Sequence, residues 1–375
     1  MALHRAFSHE RGMMHIRRVF TVAAAVAALA AASPVLIAQQ QQQNNQQNRR
    51  EQEKRSQQEQ RDIEALVLLV DAVSAGKQPA PTDIAITWQS NHFVKGSDGG
   101  TYIPFTLALD STKLANPAVA MYVRAVDKAA AAPAPAQPAA QQNNNRNQQP
   151  PAPVYPWDDI NFIQVPAGGK VQRAVMLKPG EYDLYVAIRE RTPQQQQRNA
   201  PPQKSGVLTY TLKVPDYNSA AEITTSTPIM AKDVTPLPAP LSVEEQRVKP
   251  YTFGGTLQIT PAEEPVFKTA EDFQLLFWVY GVQDKGGMPD VTIEYNFHVK
   301  GAGGAEKFFN KTQPQTLNAQ TLPPGFSIQA GHQVLGFLGV PLKSFPAGEY
   351  RVEFKVTDKL SGKTLTQNAT FTVQA

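Results

Sequence analysis

Two segments of the chain alternate apolar and polar residues with period two behind a glycine-x-tyrosine turn. The first is Leu177-Lys178-Pro179-Gly180-Glu181-Tyr182, continuing to Ile188. The second is Phe345-Pro346-Ala347-Gly348-Glu349-Tyr350, continuing to Val356. In a strand this alternation puts Tyr182, Leu184, Val186 and Ile188 on one face, and likewise Tyr350, Val352, Phe354 and Val356. The other face of the second copy, Arg351, Glu353, Lys355 and Thr357, suits water. Short stretches of the same kind, separated by turn residues, surround both segments. They predict strands at 83–93, 102–109, 119–126, 160–165, 170–177, 182–189 and 207–214. A second set falls at 255–260, 273–280, 291–299, 306–310, 333–338, 350–357 and 364–373. The expected architecture is all-β, with one sandwich over 82–215 and another over 251–375.

Three stretches break the period-two pattern. Over residues 61–76, Leu66, Leu69, Val70 and Val73 recur at helical spacing, with Glu64 and Asp71 on the other side and Gly76 as C-cap. This helix either docks on the first sandwich or mediates self-association. Residues 216–250 carry Pro236, Pro238, Pro240 and Pro250 and suggest an extended connector. Within it, 222–230 could be the first strand of the second sandwich. Strand 273–280 is apolar on both faces from Leu275 onward. Phe273, Leu275, Phe277 and Val279 form one side, and Leu276, Trp278 and Tyr280 the other. A half-solvated antiparallel sheet would keep one face polar. Either Trp278 lies in the core with the other face under a loop, or the strand offers an apolar patch to the first domain or a partner.

Composition shapes the ends and insertions. Arg17-Arg18 followed by the Ala/Val run 19–32, with Ser33-Pro34 and Ala38 beyond, predicts a signal peptide over 1–38. Residues 39–60 are Gln/Asn-rich, and 129–153 and 192–203 are Ala/Pro/Gln/Asn-rich. All three should be disordered, the latter two as excursions from the first sandwich. The chain has 36 basic and 32 acidic residues. The leader accounts for Arg5, Arg11, Arg17, Arg18 and Glu10, so the remainder is close to neutral and a nucleic-acid partner is not expected. There is no cysteine, which excludes disulfides, thiolate metal sites and a cysteine nucleophile. It also favours a bacterial exported protein, periplasmic or secreted, with no stable membrane span once the leader is cleaved.

Chemistry is sparse. Outside the leader the histidines are His92, His298 and His332, far apart in sequence and without metal-ligand spacing. No Gly-x-Ser-x-Gly, His-Glu-x-x-His or P-loop motif occurs. Asp158-Asp159 beside Trp157 could touch a sugar or calcium, and Asp98-Gly99-Gly100 suits a turn before it suits a calcium loop. Asn310-Lys311-Thr312 and Asn368-Ala369-Thr370 match the glycosylation sequon. No catalytic, cofactor or metal residue is assigned. The possible ligand or partner contacts are Tyr155, Trp157, Trp278 and Tyr280.

The Leu-x-Pro-Gly-x-Tyr segment resembles the tyrosine corner of immunoglobulin-like Greek-key sandwiches, where the hydroxyl bonds backbone a few residues upstream. The Tyr350 copy departs from it, with Phe345 for Leu and Ala347 for Pro. Tyr182 and Tyr350 are therefore expected to be structural. Asn91-His92-Phe93, Tyr102-Ile103-Pro104-Phe105, Val214-Pro215-Asp216-Tyr217 and Phe308-Phe309-Asn310-Lys311-Thr312, together with the Phe345–Tyr350 segment, resemble uncharacterised exported proteins of acidobacterial type with tandem Ig-like or fibronectin III-like domains. Some relatives join such domains to von Willebrand A-type domains, whose Asp-x-Ser-x-Ser metal motif is absent here. The resemblance implies lineage and supplies no activity. The expectation is an exported, non-enzymatic binding or scaffold protein of the cell envelope, whose partner is another envelope protein or a polysaccharide. The alternative is an accessory carbohydrate-binding module that stacks Trp157 and Tyr155 on sugar rings.

Overall fold

The computed structural model describes residues 57–129, 154–191, 202–218, 222–301 and 303–375. The expected leader over 1–38, the tract up to residue 56, and nearly all of both insertions lie outside the described residues. The fold is all-β and sandwich-like, with two helices among the described residues. The described chain forms two compact units, residues 57–91 with 100–216 and residues 92–99 with 217–375.

In the first unit, strands β1 (Ile86–Asn91), β3 (Thr101–Leu109) and β6 (Lys170–Leu177) make one antiparallel sheet with β3 in the middle. Strands β4 (Ala118–Asp127), β5 (Trp157–Gln164), β7 (Gly180–Glu190) and β8 (Ser205–Val214) make the other, ordered β5-β4-β7-β8. The period-two face Tyr182, Leu184, Val186 and Ile188 is buried. The opposite face is covered too, with Ala187 buried and Asp183, Tyr185 and Arg189 partly so. Register aligns Ile160, Tyr122, Ala187 and Val207 in one row across the sheet. That row packs against Leu66 and Val70 of helix α1 (Gln57–Ser74). Helix α1 therefore docks on the first sandwich. Each such apolar side chain withdrawn from water contributes roughly 1.5–3 kcal/mol.

Helix α1 is also held by charge. Its Asp62 is fully buried and meets Arg189 Nη1 at 3.3 Å and Arg191 Nε at 3.8 Å. Arg191 reaches Glu59 at 3.2 Å. Arg124, on β4, reaches Asp71 at 2.5 Å. Asp71 was expected on the helix's outward side; it is exposed, yet its carboxylate turns back to the arginine. Tyr185 shares the helix-facing side of β7 and packs against the helix cluster.

The second unit contains 217–250, which reads in sequence as an extended connector whose stretch 222–230 could be a strand of the second sandwich. Ile229, Met230 and Ala231 of β10 (Ile229–Pro236) pair with Leu276, Leu275 and Gln274 of β14 (Asp272–Tyr280). Ser242 and Glu245 form a reciprocal capping box that starts helix α2 (Val243–Val248). The prolines lie at or beyond the end of β10, so they punctuate the sheet rather than extend a linker. Ladders β11 (Thr252–Phe253), β12 (Leu257–Pro261), β10, β14 and β18 (Val334–Pro341) form one sheet, with β9 (Thr224–Thr225) also on β14. The other sheet is β13 (Val266–Lys268), β20 (Thr364–Gln374), β19 (Gly348–Asp358), β15 (Val291–Lys300) and β16 (Glu306–Lys311), with β17 (Gln315–Leu317) also on β15. All ladders are antiparallel except β13 with β20.

The core between these sheets is aromatic. Phe273 stacks on Phe371 at 4.2 Å and Phe277 on Phe354 at 4.3 Å. Phe277 needs the glycine opposite it. A Cβ on Gly336 would lie 2.6 Å from the Phe277 ring and 3.0 Å from Ile293 Cδ1, so any side chain there displaces the stack.

The two tyrosines differ. Both rings are buried and fold back towards the glycine two residues earlier, Gly180 or Gly348. The Tyr350 hydroxyl donates to the Pro346 carbonyl at 2.7 Å. No such bond from Tyr182 is found among the described residues. Among the described residues, then, the divergent copy is the one seen to make the bond.

Two stability measurements follow. In chemical denaturation Tyr350→Phe should cost about 1–3 kcal/mol, because the Pro346 carbonyl loses its donor. Tyr182→Phe should stay within about 0.5 kcal/mol. Equal losses would show that the Pro346 bond is not what distinguishes the two sites. Asp62→Ala strands two arginines beside a buried helix face and should cost the first unit about 3 kcal/mol. A loss below about 0.5 kcal/mol would mean that the apolar row alone holds the helix.

Candidate functional site

The unusual strand β14 shows where the second unit presents recognisable chemistry. Phe273, Leu275, Phe277 and Val279 belong to the core between the sheets. Leu276, Trp278 and Tyr280 point to the opposite side and are also buried. Trp278 is therefore not in the main core, as one expectation had it. Nor is its face an open patch. Ser226 holds the strand on both sides of the Trp278 backbone. Its N–H donates to the Trp278 carbonyl, and its Oγ accepts from the Trp278 N–H, each at 2.9 Å. Phe253 packs on the Trp278 ring at 4.6 Å and Tyr217 on the Tyr280 ring at 4.8 Å. Neither Trp278 nor Tyr280 offers a free ring face for a ligand.

The rest of the cover comes from residues 92–99. The Phe93 N–H donates to Thr227 Oγ1 at 3.1 Å, and the Phe93 carbonyl accepts from the Thr227 N–H at 3.0 Å and the Tyr217 hydroxyl at 3.3 Å. The Lys95 N–H donates to the Tyr280 hydroxyl at 2.9 Å, and the Lys95 carbonyl accepts from Gln333 Nε2 at 3.2 Å. Burial pushes the Tyr217 hydroxyl up to about 12 and Tyr280 well above the usual phenol range. Both hydroxyls therefore stay protonated at neutral pH. His92 pairs through Nδ1 with the Tyr251 hydroxyl at 3.0 Å, its ring edge-on to that tyrosine. Removal from water lowers its pKa to about 4, so it is neutral here.

Where the cover ends, a cleft of about 250 Å³ opens. Its walls are Lys95–Gly99 on one side, Asn218, the end of β14 at Tyr280 with Val282, and Ile328 to Val334. Val279, Val282, Ile328 and Val334 give it an apolar floor. Lys95, Asp98, Asn218, His332 and Gln333 give it polar groups. His332 Nδ1 accepts from the Ser327 N–H at 2.9 Å, which places the ring proton on Nε2 and leaves a donor beyond the loop. Gln333 Oε1 is buried and has no hydrogen-bond partner among the described residues. Asp98 has φ +51° and Gly99 +69°, a tight left-handed turn as expected from Asp98-Gly99-Gly100. This cleft is a binding geometry, an apolar pocket with a few fixed polar groups. Only Tyr280 among the ligand candidates from sequence lines it. His332 and Lys95 were missed as site residues because nothing in their sequence neighbourhood shows that the two loops meet.

The other two candidates lie in the first unit. Tyr155 rests against the Arg124 guanidinium at 4.0 Å from its ring centre. Arg124 in turn donates to the Tyr122 hydroxyl at 2.6 Å. Tyr155 thus has one ring face occupied. Trp157 begins β5 opposite Ala125 and is half-buried. Asp159 accepts from Asn161 at 2.9 Å, and Asp158 is exposed. Among the described residues no three His, Asp or Glu side chains form a metal-holding group. No described helix is long and apolar enough to cross a membrane.

No protein-family profile and no curated protein matches the chain. Among solved structures it is similar to Escherichia coli alpha-2-macroglobulin activated by porcine elastase, with 10% identity and a TM-score of 0.22, over 78% of this chain and 23% of that one. Against Salmonella alpha-2-macroglobulin reacted with methylamine the values are 10%, 0.19, 77% and 16%. Against the native conformation of the Escherichia coli protein they are 10%, 0.20, 80% and 15%. The chain thus spans less than a quarter of these proteins, and likeness at this level carries no argument about what it does.

His92 makes the cover of β14 sensitive to acid. Its folded pKa, about 4, lies below the ordinary histidine value near 6.5. The unfolded chain therefore binds the proton more readily between those values. Stability from this group is complete above about pH 6.5 and is lost progressively as pH falls towards 4. His92→Gln should flatten the urea-unfolding free energy of the second unit across that window, by up to about 3 kcal/mol. An unchanged slope would mean that His92 is not the group responsible.

Proposed function

We propose that this chain is an exported, non-enzymatic binding or scaffold protein of the cell envelope, and that the cleft at the end of β14 is where it takes its partner. The observation that carries the binding role is the cleft itself. An apolar floor is ringed by Lys95, His332 and Gln333, whose neighbouring backbone and ring atoms are already fixed by hydrogen bonds. Groups held this way lose little freedom on binding, which favours recognition. Export rests on the Arg17-Arg18 and Ala/Val run. The alternative of a carbohydrate-binding module built on loop aromatics finds less support, because Tyr155 already has Arg124 on one face.

The test combines fractionation with capture. The chain should appear in the envelope or secreted fraction, and should retain a partner from envelope extract. Asn218→Trp, a substitution at the exposed rim of the cleft, should reduce that capture at least about tenfold while the unfolding midpoint stays unchanged. Capture unaffected by Asn218→Trp, or a chain confined to the cytoplasm, would overturn the proposal.

A further inference from the structure

The second unit carries another concavity, on the water-facing side of its sheet β13-β20-β19-β15-β16. This trough holds about 340 Å³ and lies over Lys300, Glu306, Glu349, Arg351, Thr370 and Thr372. Register explains the grouping. Lys300 is opposite Glu306, Arg351 is opposite Thr370, and Glu349 is opposite Thr372. These are the positions that strand alternation turns outward, while Val352, Phe354 and Phe371 turn in.

The charges in the trough are paired with one another. Lys300 Nζ meets Glu349 at 2.7 Å, and Arg351 Nε meets Glu306 at 2.8 Å. Arg351 Nη1 also donates to Asn368 Oδ1 at 2.6 Å and to Glu353 at 3.3 Å. Two cations against two carboxylates leave the trough without net charge, so an anionic ligand gains little from it. What the trough offers is a set of held donors and acceptors. Each carboxylate accepts more than one bond, and the threonine hydroxyls both donate and accept. Beside it stands Phe308, 60% exposed and among the few large apolar side chains left in water. Phe308 lies opposite His298 on the same outward face, two residues along β16 from Glu306, with the two rings edge-on at 6.0 Å.

An extended peptide adding to this sheet beside the trough would use the edge strand β16, since the opposite edge, β13, is only three residues long. That edge carries Lys307 and Lys311 and a register break at Phe297/His298, features that oppose strand pairing. The face of the sheet is the better surface. We propose that this trough binds a neutral polysaccharide chain. Pyranose hydroxyls would exchange hydrogen bonds with Arg351, the two glutamates and the threonines, and the apolar C–H face of one sugar ring would stack on Phe308. This site shares no residue with the cleft at the end of β14, so the two proposals stand or fall separately.

The test is isothermal titration of the full chain with cellohexaose, laminarihexaose and chitohexaose, with polygalacturonate as the anionic control. At least one neutral hexasaccharide should bind, with affinity little changed as salt is raised. Phe308→Ala should weaken that binding at least about tenfold, and Thr370→Trp, which fills the trough, should abolish it. Thermal midpoints of both variants should match the parent, since both positions are exposed. Asn218→Trp should leave sugar binding intact. The proposal is overturned if none of the neutral sugars binds, if only polygalacturonate binds, or if both trough variants bind like the parent. A change of oligomeric state in Phe308→Ala would also overturn it, by assigning the exposed ring to contact between copies.

Discussion

A strand buried on both sides needs a cover on each, and β4 and β14 set that constraint. In β4, Val119, Met121 and Val123 alternate with Ala120, Tyr122 and Arg124, and all six are buried. In β14 the same is true of every residue from Leu275 to Tyr280. One sheet packed on another covers only one side of such a strand. The second cover must come from elsewhere in the chain. In the first unit it is helix α1, laid over the row Ile160, Tyr122, Ala187 and Val207. In the second it is a set of short segments, with Phe253 on Trp278, Tyr217 on Tyr280, and residues 92–99 hydrogen-bonded to Thr227, Tyr280 and Gln333.

The two covers are held differently, and the difference follows from what each is made of. A helix satisfies its own backbone, so α1 can be fixed through side chains alone, by apolar contact plus the pairs of Asp62, Asp71 and Glu59 with arginines. An irregular segment has no internal ladder, so residues 92–99 need their N–H and carbonyl groups met by the surface they cover. Phe93 and Lys95 show this, each using both backbone groups. Where that stitching ends, the backbone turns through left-handed Asp98 and Gly99, and the cleft opens.

Charge also acts on the sheet β13-β20-β19-β15-β16 of the second unit. Arg351 gathers Glu306, Glu353 and Asn368, and Lys300 takes Glu349. Lys300 and Glu349 are exposed and the Arg351 pairs partly so, and such surface pairs contribute little to stability. Their effect is on the surface, since they present oriented polar groups.

The sequence alone indicated most of the longer strands and the facings of the two tyrosine strands. Period-two alternation placed Tyr182 to Ile188 and Tyr350 to Val356 inward, and helical spacing placed Leu66 and Val70 together, because both patterns are local consequences of backbone geometry. The doubly apolar strand 273–280 pointed either to an apolar patch or to a second cover. Which residues supply it is decided only by the tertiary structure. Residues 92–99 sit between two strands of the first unit in sequence yet belong to the second. The segment after Tyr217 reads as a proline-rich linker with a candidate strand at 222–230, and its partner, β14, paired through Ile229 to Ala231, is seen only in the fold. The hydroxyl of a corner tyrosine shows the same limit. Tyr182 and Tyr350 occupy matching positions in matching strands, and among the described residues the bond to an upstream carbonyl is seen at Tyr350. Such contacts depend on where distant backbone comes to rest, and no local pattern carries that information.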